Sequence, residues 1–158
     1  EEMADHGVVY ATRRDKAREH ALAMQRIWEH DEAGFEGEYV SFEPTFSWPK
    51  PVQRPRIPTL IGGGAGPVMF RHVAEWADGW LPIGGRGVRE ALPKLHEAWA
   101  AAGRSGTPQI IPFGTVPSHE KLEYYASVGC TEVVLRLESY DRDGALRQLD
   151  DLGQYLTR

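Results

Sequence analysis

At 158 residues, 41% hydrophobic and 26% charged, the chain is long enough to bury the core of one ordinary globular domain. Its formal charge of −5, with acidic and basic residues mixed and no basic stripe, gives no footing for nucleic acid, and no apolar run reaches membrane-spanning length. The single cysteine, Cys130, excludes an internal disulfide and fits a reducing compartment, so the expected location is cytoplasmic.

The chain opens on Glu1-Glu2-Met3 and reads as a segment of something longer or a processed product. Residues 1–11 are poorly periodic. Thr12 followed by Asp15 predicts a helix start, and Ala17, Ala21, Met24 and Trp28 make its apolar stripe, with an end near Gly34. His20 and His30 fall on its solvated face. Residues 35–58 differ in kind: Phe35 to Glu43 alternates weakly as a short extended arm, and Pro44, Pro49, Pro51, Pro55 and Pro58 then frame Phe46 and Trp48. Such a stretch predicts a long ordered loop packed over another surface, either functional or a strap over apolar residues.

From residue 59 onward the pattern changes to a repeat. Thr59 to Ile61 is a short buried strand, closed by Gly62, Gly63, Gly64 and Gly66. Met69, Val73, Trp76 and Ala77 mark a helix behind Pro67, a residue suited to the first turn. Strand, glycine turn and helix start together present backbone N–H groups and the positive end of a helix dipole, where a phosphate fits. The spacing Gly64-x-Gly66-x-x-Met69 lacks the third glycine of the dinucleotide fingerprint, and no Lys-Ser/Thr of a Walker loop follows. From the turn alone, anion binding and a plain tight turn both stand.

Three further units follow. Gly79 to Ile83 predicts a strand, with a helix over 88–102 on Leu92, Leu95, Ala98 and Trp99. Ile110 to Val116 predicts the next, with a helix from Ser118 to Gly129. Thr131 to Leu137 is the cleanest strand, before a helix over 142–156 on Leu146, Leu149, Leu152 and Leu156. Four strand–helix units after a helix and a loop mean an α/β fold with parallel strands and right-handed crossovers. An open doubly wound sheet and part of a (β/α)8 barrel both satisfy this. A full barrel needs roughly 250 residues, so four units are half of one.

Four stretches narrow the choice. Ser47-Trp48-Pro49-Lys50-Pro51-Val52-Gln53-Arg54-Pro55, Ile57 to Gly63, Ala77-Asp78-Gly79-Trp80, and the opening Glu1 to Gly7 resemble, in order, the bacterial luciferase-like monooxygenase family. The nearest branch is the oxidoreductases that use the deazaflavin coenzyme F420. The resemblance covers nearly the whole chain, is strongest over 1–84 and weaker after about residue 103. It implies the C-terminal half of a (β/α)8 barrel, one partial domain over 1–158, binding coenzyme F420 or FMN at the C-terminal strand ends. By position it makes Gly63, Gly64, Ala65 and Gly66 the contacts to the cofactor's phosphate, and gives Trp80 a packing role. It names no catalytic residue, because the strands that supply much of the ring pocket have no counterpart here. His72, His96 and His119 read as structural or surface residues, Asp78 as a turn cap, and no metal-ligand spacing occurs.

Two functions remain in view, with a small-molecule substrate for the first. One is the C-terminal part of a flavin- or deazaflavin-dependent oxidoreductase, contributing the phosphate-binding turn. The other is a non-catalytic half-barrel module that binds a phosphate-bearing ligand or only assembles. A small nucleotide-binding α/β domain ranks third. Four parallel strands leave two bare edges, which predicts a homo-oligomer or a complementary N-terminal half barrel as partner.

Overall fold

The computed structural model describes residues 2–138 and 140–156, and these divide between Thr59 and Leu60 into two compact units. The first unit holds α1 (Glu2–Asp5), α2 (Arg13–Glu29) and an antiparallel hairpin of β1 (Glu32–Phe35) and β2 (Phe42–Phe46). Helix α2 stops short of the expected Gly34, because His30 is extended and the Lys50 ammonium donates to the Ile27 carbonyl at 2.6 Å and the His30 carbonyl at 2.5 Å. A cation on the last carbonyls is a favourable helix end.

Gly34 instead lies in β1, where a Cβ would come within 3.1 Å of the Pro44 nitrogen, and the hairpin register shifts at that point. Proline in a strand is tolerated at such an irregularity. The expected arm and the start of the proline-rich loop are therefore one hairpin. Beyond it, Arg56 pairs with Glu29 at 2.9 Å, and Gln25 donates to the Thr59 hydroxyl at 3.1 Å. Phe46 and Trp48 are exposed, so these rings do not serve as a strap over apolar surface.

The second unit carries four parallel strand–helix pairs. These are β3 (Leu60–Gly62) with α3 (Pro67–Trp76), β4 (Gly79–Leu81) with α4 (Val88–Ala101), β5 (Gln109–Ile110) and β6 (Phe113–Thr115) with α5 (His119–Ser127), and β7 (Val134–Leu135) with α6 (Arg142–Gly153). β3, β4 and β5 lie side by side, β6 pairs with β7, and a bridge from Ile83 to Phe113 links the two groups. Neighbours follow chain order throughout, and the order never reverses among the described strands. β5 and β6 are the single strand expected over 110–116, interrupted at Pro112, which has no N–H for the ladder, while Gly114, at φ +73°, sits at a register irregularity within β6.

The helix caps follow the sequence. The Ser118 hydroxyl accepts from the Lys121 N–H at 3.2 Å, and the Asp141 carboxylate accepts from the Gly144 N–H at 2.8 Å. Ile61, Trp80 and Ile110 stand in one row across β3, β4 and β5. That row meets Phe70 and Val73 of α3 and Val88, Leu92, Leu95 and Trp99 of α4 in the main core. The Phe70 and Trp80 rings meet edge to face, with centroids 5.5 Å apart. Of the strand expected over 131–137 only two residues pair, and Val134 and Leu137 are exposed.

Candidate functional site

The four candidate residues are contiguous on the turn between the C-terminal end of β3 and the first turn of α3. Gly63 and Gly66 are half-buried, and Gly64 and Ala65 are exposed. The first intrahelical bond runs from the Phe70 N–H to the Gly66 carbonyl at 2.9 Å. The N–H groups of Val68 and Met69 therefore have no intrahelical acceptor, Pro67 has none to offer, and no side chain caps the helix. Uncapped donors and the positive end of the helix dipole lie together here at an open turn, an arrangement that suits an anion.

The glycines separate by cause. Gly63 has φ +145°, and a Cβ there would lie 2.6 Å from the Met69 methyl, so local conformation favours glycine. Gly64 and Gly66 differ: a Cβ at either meets nothing within 4 Å, and Gly66 is extended at φ 168°. The fold makes no demand for glycine at these two positions. What their missing side chains provide is access to the backbone.

Trp80 anchors the turn from below. Its indole N–H donates to the Gly63 carbonyl at 2.9 Å, while its ring is buried between sheet and helices. The packing role expected for Trp80 thus lies in the helix-side core, and it includes a hydrogen bond that residue type alone does not reveal. The signal for it was the Ala-Asp-Gly-Trp stretch. Gly79, two residues into that stretch, leaves no room for a side chain, since a Cβ would sit 2.3 Å from the Gln109 carbonyl oxygen.

A second glycine turn follows β4, at the same end of the parallel pair. Gly87 caps α4 at φ +74°, the Gly84 N–H donates to the Phe113 carbonyl at 2.8 Å, and the Tyr125 ring packs where a Gly85 side chain would stand. A groove of about 950 Å³ starts at Ala65 and Gly66 and runs between α3 and α4 to Ala102, with Arg71 and Lys94 among its lining residues.

The remaining candidates are placed elsewhere. The Asp78 carboxylate lies 3.7 Å from the Arg104 guanidinium, which also donates to the Ala74 carbonyl and stacks over Trp99. His72 is buried and accepts from the Trp76 indole at 3.1 Å, His96 is exposed, and His119 packs on Tyr155. Burial pushes the Cys130 thiol up to about 11, which keeps it protonated and unreactive at neutral pH. Among the described residues no group of three His, Cys, Asp or Glu side chains is placed to hold a metal, and no helix is long and apolar enough to cross a membrane.

Comparison with known proteins supplies the family. The model of the luciferase-like monooxygenase family matches residues 1–144. An uncharacterized protein of Mycobacterium tuberculosis is 38% identical over 157 residues, which cover 99% of this chain and 55% of the relative. The chain spans about half the length of such relatives. An F420-dependent glucose-6-phosphate dehydrogenase of Gordonia bronchialis is 31% identical over 83 residues, 52% of this chain and 24% of that protein.

Among solved structures, the monooxygenase RslO1 from Streptomyces bottropensis superposes with a TM-score of 0.73 at 15% identity, over 98% of this chain and 64% of that one. An F420-dependent secondary alcohol dehydrogenase, in complex with an F420–acetone adduct, superposes at 0.68 and 14% identity, over 90% and 61%. These likenesses settle the architecture as four parallel strand–helix units of a (β/α)8 barrel rather than an open doubly wound sheet. The chain belongs to the luciferase-like monooxygenase family.

Proposed function

We propose that residues 1–158 act as one partial barrel domain, the C-terminal part of a cytoplasmic flavin- or deazaflavin-dependent oxidoreductase of the luciferase-like family, and that they contribute its cofactor-phosphate turn. The observation that carries this reading is the access at Gly64 and Gly66, two glycines with open space beside them at an uncapped helix start. Active sites of (β/α)8 barrels lie at this end of the strands. The F420-dependent relatives support the deazaflavin as a candidate beside FMN.

The residues present fit the anionic part of either group. Backbone N–H groups of Gly64, Ala65 and Gly66, with those of Val68 and Met69, would hold a phosphate, and Trp80 would fix the turn through Gly63. The bound cofactor would supply the hydride or oxygen chemistry, while this chain positions its tail. The substrate is a small molecule, and the barrel is completed by a second set of strands, either another copy or an N-terminal half.

Replacement of Gly64 or Gly66 by Val tests the reading, because a Cβ at either position meets no protein atom within 4 Å and the φ there is not strained for an L-residue. Fluorescence titration with FMN and with F420 should show at least a tenfold loss of affinity for the bound cofactor, with an unchanged circular dichroism spectrum. Undiminished affinity in both variants would overturn the assignment. Phosphate binding without turnover in a completed barrel would favour the non-catalytic module instead.

A further inference from the structure

We propose that the groove between α3 and α4 holds an arm of the cofactor that continues past its phosphate, which selects F420 over FMN for this chain. It rests on the reading of the β3–α3 turn as the phosphate site and deepens it. F420 carries its phosphate as a diester to a lactyl-glutamyl arm bearing carboxylates, whereas FMN stops at a phosphate monoester.

The groove begins where the phosphate would sit. Ala65, Gly66 and Pro67 form its mouth, and it runs on between the two helices to Ala101 and Ala102 with a volume of about 950 Å³. Its walls are the helices of consecutive strand–helix units.

The charge at the mouth favours a diester. From Gly62 to Phe70 there is no cationic side chain, so backbone donors and a helix dipole worth about half a charge meet the phosphate. That balance suits the single charge of a diester better than a monoester, which brings about −1.5 to −2 at neutral pH. α3 has no acidic residue in its first turn, whereas α4 opens with Glu90, which answers its own dipole. The anion therefore belongs at the start of α3, and the arm leaves it along the groove.

Beyond the mouth, the lining suits methylenes edged by carboxylates. Phe70, Ala74, Ala91 and Ala98 supply apolar and small side chains, with Arg71 on one wall and Lys94 on the other. Arg71 is five residues past Gly66 and Lys94 seven past Gly87, so they lie about 8 and 10 Å down the groove. An extended arm advances about 3.3 Å per residue, which brings its second or third unit to the two cations. Glu75 stands 3.8 Å from Arg71 in an exposed pair, a weak contact that an arm carboxylate can displace. Glu97, about 15 Å past Gly87, ends the cationic stretch and bounds the useful arm.

Fluorescence titration of the chain with F420 bearing two glutamates, with its arm-free phosphomonoester and with FMN tests this. F420 should bind at least tenfold more tightly than the arm-free form. In the double variant Arg71→Gln, Lys94→Gln that advantage should fall below threefold, with the affinities for the arm-free form and FMN unchanged. Wild-type Lys94 gives a check that needs no variant. Its acetylation should slow at least fivefold on saturation with F420 and not at all with the arm-free form. Equal affinity of F420 and the arm-free form, an advantage that survives in the double variant, a parallel loss for the arm-free form and FMN, or an unprotected Lys94 would each overturn the proposal. If both forms bind equally yet exceed the phosphate-free core, the groove falls and the phosphate turn stands. If all three bind equally, the phosphate turn falls as well.

Discussion

Two places in this molecule present backbone N–H groups outside a strand or helix ladder, and they are finished differently. In the first unit the hairpin loop wraps the Glu19 carboxylate, which accepts from the N–H groups of Glu38 at 3.1 Å, Tyr39 at 2.7 Å and Val40 at 2.8 Å. A Cβ on Gly37 would lie 2.0 Å from a Glu19 oxygen, so that glycine makes room for the protein's own anion. In the second unit the turn after β3 gathers donors at the start of α3, no side chain caps them, and Gly64 and Gly66 leave the approach open. A nest with an internal carboxylate holds a loop in place. A turn left open has donors to offer a ligand, and in the proposed reading that ligand is the cofactor's phosphate.

The largest effect should come from removing what supports the open nest. Trp80→Ala empties a fully packed site and deletes the bond to the Gly63 carbonyl, a loss of about 3–5 kcal/mol of stability in denaturant unfolding. A cost below about 1 kcal/mol would mean that Trp80 neither packs nor anchors as described.

The filled nest makes a smaller and pH-dependent contribution. Partial burial raises the Glu19 carboxyl, but the N–H donors of Val40, Tyr39 and Glu38, with His20 nearby, outweigh it and hold the group below its ordinary value. A carboxylate depressed in the folded state stabilises the fold above its unfolded pKa and loses that contribution as pH falls through the folded value. The protection factors of the residue 38–40 amides, taken against the intrinsic rate at each pH, should therefore fall as the pH drops below about 4.5. In Glu19→Gln these amides should exchange faster already at neutral pH, with no further acid step. Equal protection in wild type and variant at pH 7 would remove Glu19 as the clamp.

The difference between the nests was only half visible in the sequence. The glycine turn stood out because an apolar run ended in Gly62, Gly63 and Gly64 before a helix signal, and the whole strand–helix succession after residue 59 followed from periodicity. The clamp did not show, because Glu19 and residues 38–40 are about twenty positions apart and nothing local marks their meeting. The hairpin was obscured by Pro44, which reads as a strand breaker until Gly34 is seen opposite it. At Thr131 to Leu137 the error ran the other way. The pattern there is the best in the chain, yet pairing is confined to Val134 and Leu135, because a hydrophobic pattern reports a preference while the ladder extends only where the neighbouring β6 offers partners.

The central claim is that the open turn holds the phosphate of a flavin or deazaflavin. It is tested most directly by comparing equilibrium binding of FMN with that of riboflavin, which lacks the phosphate, and of F420 with its phosphate-free deazaflavin core. The account predicts that at least one phosphate-bearing form binds tenfold or more tightly than its partner, with the difference abolished in Gly64→Val. Equal affinities within both pairs would contradict it.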